Sequence, residues 1–272
     1  FLRKNKVMKK KNIFIASLAA IILMPLFSMA QEEVIIIETF RNNAPERFNA
    51  PKTPSFTLLS KNKKYAMGIG GYVKGTVSMD FNGSINNAAY FTTSAIPVNP
   101  QPGNNKLLQY NINQSSLSFN FVSLSDRKSK FGAYINMNFS GDNYSTYIED
   151  AYVTYGGLLL GRATSLFTDA AAIPPTIDSE GPNGLTYKTN TVINYKSSWG
   201  ERKRFSTGIG LEMPSTDFTV SNEQNITNQY IPDIPSYIQY AWGNNNSSHV
   251  RLSILIRNVN YYNNIQEKEN II

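Results

Sequence analysis

Between Tyr65 and Asn82 two kinds of side chain alternate residue by residue. Tyr65, Met67, Ile69, Gly71, Val73, Gly75, Val77, Met79 and Phe81 share one face; Ala66, Gly68, Gly70, Tyr72, Lys74, Thr76, Ser78, Asp80 and Asn82, mostly small, polar or charged, share the other. A period of two belongs to a β-strand whose faces meet different surroundings. The pattern returns over Ser116–Phe121, Phe131–Ser140, Arg204–Met213 and His249–Arg257, and more weakly over Tyr147–Tyr155, Leu158–Phe167, Tyr187–Lys196 and Tyr237–Trp242. The expected fold is all-β, with about nine strands.

The only long apolar run lies at the start. Met8 and three lysines precede an apolar segment from Ile13 to Phe27, then Ser28-Met29-Ala30, a small-x-small cleavage pattern. This is the layout of an export signal, and the run is shorter than the ~20 residues of a membrane span. Residues 1–30 are therefore expected to be a signal peptide, with an upstream extension before Met8. The signal also explains the charge. Six of the 26 basic residues precede Ile13, and without them 20 basic side chains face 19 acidic ones, so the net charge of +7 does not indicate a nucleic-acid partner. Residues 31–64, polar and interrupted by Pro45, Pro51 and Pro54, read as a periplasmic linker. Beyond the signal, any membrane crossing would have to be made by strands.

Alternation suits a soluble sandwich and a membrane barrel equally, so the connections must decide. Gly83–Ser115, Thr168–Thr186 and Pro214–Pro235 are long, whereas residues 123–130, 156–157, 197–203 and 243–248 are short. Counted along the chain, three of the four odd connections are long and every even one is short. A barrel with long outer loops and tight periplasmic turns sorts its connections this way, and a sandwich has no reason to. Aromatic residues also bracket the apolar faces: Tyr65 and Phe81, Phe131 and Phe139, with Tyr155, Tyr195, Tyr240 and Trp242 near strand ends. The expected architecture over residues 65–272 is thus a transmembrane antiparallel up-and-down β-barrel of the outer-membrane type.

The connection after Leu158–Phe167 is stiffened by three prolines and carries acids. A loop so constrained can fold inward. "GRATSLFTD" (161–169) and "PPTIDSEGP" (174–182) resemble the strand and constriction loop of the DcaP-like trimeric outer-membrane porins, and "MGIGGYVKGTVSMDFNG" (67–83) is similar to that family's opening strand. The resemblance implies a sixteen-stranded barrel in the outer membrane of a Gram-negative bacterium, of which residues 65–272 would be the N-terminal part, a homotrimer, and passive uptake of small hydrophilic, often anionic, solutes past an eyelet made by the third loop. It places Gly161, Leu166 and Phe167 at the strand end and Asp169, Asp178, Glu180, Gly181 and Pro182 in the loop. Arg162 departs from the glutamine common in the family, and residues 31–64 lack the heptads of a coiled coil. Nine strands and no terminal aromatic at Ile272 read as an N-terminal fragment.

If apolar faces meet lipid, the opposite faces line water. Lys74, Lys188, Lys196, Arg204, Arg251 and Arg257 are then pore-lining, with Asp80, Asp150 and Glu212 among them, and Arg162 is placed there with an ambiguous strand parity. The loop acids Asp169, Asp178 and Glu180 are expected either to face this basic wall across the narrow point or to cap their own turns. No enzyme chemistry is expected. The single histidine, His249, stands at a turn-to-strand junction, there is no cysteine, and Glu149 and Asp150 should point to opposite faces. No cofactor or metal is implied. "GIGGYVKG" lacks the following helix of a phosphate loop, and residues 31–64 are too few for the plug of an active receptor. The competing reading is a secreted soluble β-sandwich that binds glycans or proteins through its aromatics and Asn-rich loops.

Overall fold

The computed structural model describes residues 36–45, 54–85, 90–99, 103, 106–124, 130–174, 176–214, 221 and 224–263, and the backbone of 268–271. The export signal expected over residues 1–30 lies outside them. A helix, α1, covers residues 36–43. Fifteen strands follow: β1 (Phe56–Leu59), β2 (Tyr65–Tyr72), β3 (Thr76–Asp80), β4 (Leu107–Asn111), β5 (Ser116–Ser123), β6 (Phe131–Asn138), β7 (Tyr147–Tyr155), β8 (Leu158–Thr164), β9 (Thr189–Trp199), β10 (Phe205–Glu212), β11 (Gln224–Ile226), β12 (Ile234–Trp242), β13 (Ser248–Ile256), β14 (Val259–Asn263) and β15 (Lys268–Ile271).

Ten of these form one antiparallel wall in the order β1-β2-β5-β6-β7-β8-β9-β10-β12-β13. Every expected strand is present. The tenth, β1, arises inside the segment read as a linker, where Phe56 pairs with Ile69 and Leu59 with Ala66. The continuous strand expected over Tyr65–Asn82 is interrupted. Tyr72 lies opposite Ser116 and Thr76 opposite Asn111, so four residues of one arm match five of the other, and the hairpin resumes as β3–β4 one residue out of register. At the far edge β14 pairs with β11 and β15 in a small second ladder.

The wall wears its greasy side outward. Leu160, Ile193, Ile209, Leu211, Ile238, Leu252, Ile254 and Ile256 are all exposed, and they share one face of their strands. The opposite face carries Asn120, Asn136, Asp150 and Asn194, all buried, with Tyr134, Tyr152, Ala163 and Val192 packed between them. A sandwich buries the first set and wets the second. At roughly 1.5–3 kcal/mol for burying one such aliphatic side chain, leaving eight half-exposed to water forgoes on the order of 10 kcal/mol, as much as the whole margin of a folded domain.

An aromatic belt runs along the short-turn end of the same outer face. Phe131 stands opposite Tyr155, and Phe205 lies between Trp199 and Tyr240 in register. Tyr65 stacks on Phe121 at 5.7 Å between ring centres, Trp199 on Phe205 at 6.1 Å, and Tyr240 on Trp242 at 6.1 Å. Aromatic rings at the edge of an aliphatic band are the mark of a membrane interface. Among the described residues no helix is long and apolar enough to cross a membrane.

Candidate functional site

The connection from β8 to β9 folds over the polar face. Its base is closed by the Ser165 amide, which donates to the Lys188 carbonyl at 2.8 Å. The Leu166 amide donates to the Glu212 carboxylate at 3.2 Å, and Leu166 itself is buried. From there the chain crosses to β13. The Thr168 carbonyl accepts from Arg251 Nη1 at 3.0 Å, Asp169 Oδ2 lies 2.8 Å from His249 Nε2, and Asp169 Oδ1 is 3.8 Å from Arg251 Nη1. Arg251 is braced in turn by Gln239 at 2.8 Å and lies 4.1 Å above the Tyr237 ring. These are charge-assisted contacts on partly desolvated groups, the strong class of hydrogen bond.

After a turn at Ala170–Ala172 the loop returns toward the opposite side of the wall. Lys74 Nζ, at the break between β2 and β3, donates to the Ile177 carbonyl at 2.6 Å, and the Thr93 hydroxyl of the first long connection donates to Asn183 at 3.2 Å. One loop is thus tied to β13 at its start and to the first hairpin at its middle. Ala170 borders two cavities, one of about 880 Å3 on the long-loop side and one of about 600 Å3 on the short-turn side. Residues from β5 through β13 line the second, so the wall is concave on its polar face.

The expected site residues divide by what they touch. Asp169 meets His249 and Arg251 of β13. Asp178 instead accepts from the amides of Glu180 and Gly181 at 2.9 and 3.2 Å, a turn cap, while the Pro182 carbonyl accepts from Leu185 at 3.1 Å. Asp178, Glu180, Lys74, Lys188 and Arg162 all border the larger cavity. Arg162 shares the alternation of Leu158 and Leu160, yet its guanidinium donates to the Ile148 carbonyl at 3.1 Å and to the Tyr147 hydroxyl, reaching the cavity rim. Lys196 borders the smaller cavity. Arg204 stands at the β9–β10 turn, half-buried. Arg257 is bound by Asp233, 2.7 Å from its Nη2 and itself 1% exposed. Burial pushes the Tyr90 phenol at the larger cavity above its usual range, with a Ser140 hydrogen bond opposing and the Glu149 charge adding to the shift.

One expectation is corrected by a bulge. Asn136 pairs with Asp150 and Met137 with Ile148, leaving Glu149 as the extra residue of β7. Glu149 accepts from Asn136 and Asn138 at 3.2 and 3.4 Å, so both carboxylates lie by the polar face and not on opposite sides. Residues that sequence reasoning missed are Asp233, Gln239, Tyr237 and the anchor Asn43 on α1. Gln239 and Tyr237 share the polar-face alternation of β12, a signal present but undistinguished. Asp233 and Asn43 carry no local signal.

No protein-family profile and no curated protein matches the chain. In fold it is similar to the outer membrane channel DcaP of Acinetobacter baumannii: the two superpose with a TM-score of 0.63 over 78% of this chain and 58% of that one, at 19% identity. The chain spans less than two thirds of that channel's length. Its fold is that of an antiparallel β-barrel wall, open at the β1 and β13 edges of the described sheet.

Proposed function

We propose that this chain forms the wall of an outer-membrane porin through which small hydrophilic solutes diffuse passively, anions preferentially, past a constriction made by the β8–β9 loop. The observation that carries the reading is the inverted burial. The apolar face with its aromatic belt is exposed, while the polar face is concave and crossed by a loop tied at both sides. A channel needs the β1 and β13 edges joined by further strands, and the DcaP-like resemblance gives sixteen strands and a homotrimer as the form to test. Residues 1–30 would direct export to the outer membrane, and residues 31–64 would lie on the periplasmic side, with part of them folded onto the wall. The rival soluble sandwich finds no second sheet over the apolar face among the described residues.

The full-length protein refolded in detergent should show heat-modifiable gel mobility and give stepwise currents in planar bilayers, with a reversal potential in a KCl gradient that favours chloride. Cation preference would remove the anionic part of the reading. Recovery as a soluble monomer without detergent would remove the porin.

A further inference from the structure

The helix α1 does not trail from the wall but is seated on its polar face at the short-turn end. Phe40, 1% exposed, packs against Ala66 and Val122. Asn43 donates to Asn120 Oδ1 at 2.5 Å and to the Ala133 carbonyl at 3.2 Å, and accepts from the Thr154 hydroxyl at 2.6 Å. Its carbonyl accepts from the Tyr152 hydroxyl at 2.8 Å, and the Phe40 carbonyl accepts from Asn120 at 3.1 Å. The wall is shaped to receive it. A Cβ on Gly132 would collide with the Asn43 side chain, and one on Gly68 would meet Pro54 and the Phe40 ring. Four wall strands thus present a small residue or a matched polar partner to one helix, which a passing linker would not need.

Between α1 and the β8–β9 loop lies the cavity of about 600 Å3. Its charged side chains among the described residues are Arg41 from the helix and Lys130, Lys196 and Arg251 from the wall, all basic. We propose that α1 is a second constriction in series with the loop, and that the chamber between them holds anionic solutes on their way to the periplasm. This rests on the porin reading. Two narrow points in series limit current more than either alone, and a concave, single-sign lining concentrates the opposite charge.

Two variants of the full-length protein in planar bilayers test it. Phe40→Asp with Asn43→Asp removes the seat; single-channel conductance should rise at least twofold and chloride preference should fall, with heat-modifiable mobility retained. Channels with unchanged conductance would overturn the proposal while leaving the porin intact. The second variant needs no unseating. The 272 residues contain no cysteine, so Arg41→Cys offers a single thiol, which an anionic methanethiosulfonate should modify several-fold faster than a cationic one, with a stepwise fall in current. Equal rates, or modification without any change in current, would place Arg41 outside the solute path and overturn the chamber. Absence of channels from wild type and every variant would instead sink the porin reading beneath it.

Discussion

Arg251 illustrates how a charge on the concave polar face of the wall is fixed rather than merely present. Its guanidinium is held by Gln239, the Tyr237 ring, the Thr168 carbonyl and the Asp169 carboxylate, and only 13% of the side chain is exposed. Charged hydrogen bonds of this kind contribute about 1.5–3 kcal/mol each. Arg251→Met should therefore free the start of the loop and raise chymotryptic cleavage between Phe167 and Tyr187 at least tenfold, since about 1.4 kcal/mol on the open population is one decade. Lys74→Met, which loses one bond to the Ile177 carbonyl, should raise it less. Equal, unchanged cleavage in both would mean that the loop is held elsewhere. At this scale the sequence was legible in type but not in pairing. Asp169 and Asp178 look alike in the chain, yet one reaches β13 and the other caps its own turn, because only the first lies close behind the segment after β8 that the Ser165 and Leu166 amides pin to Lys188 and Glu212. Arg257 is an expected lumen charge that Asp233 has already engaged.

Elements were legible where a period had room to repeat. The alternations of β6, β10 and β13 run for eight or nine residues and were read directly. α1 was not, because Ile36, Phe40 and Ala44 give an i, i+4, i+8 stripe over little more than two turns and its strongest anchor is a polar residue, Asn43. The bulge at Glu149 has no local mark at all. Gly161 marks a different local demand. With φ at +136° in β8, a Cβ there would press on the Ala151 carbonyl and lie 2.7 Å from the Tyr152 Cα. Gly161→Ala should cost about 2 kcal/mol, lowering the urea midpoint of the protein refolded in vesicles. Gly75, in the break between β2 and β3, has open space around its Cβ position, so Gly75→Ala should leave the midpoint unchanged. Similar losses at both sites would show that β8 is not kinked at this glycine.

For the molecule as a whole, the question is which medium the aliphatic band meets, and two neighbouring residues of β13 separate the answers. Leu252 is 64% exposed on the band, and Ser253 lies on the polar face. In water, a charge at so exposed a site changes stability by no more than about 0.5 kcal/mol, and the damaging change would be a charge on the concave face at the half-buried Ser253. In a bilayer the order reverses. An arginine on the lipid face near the midplane costs about 2–4 kcal/mol, while a lumen position tolerates it. Leu252→Arg should accordingly lower the unfolding free energy in vesicles by that amount and Ser253→Arg should hardly move it. The opposite ranking would mean that the exposed face is wet, and the loop, the helix and the basic chamber would then be features of a soluble surface with nothing passing between them.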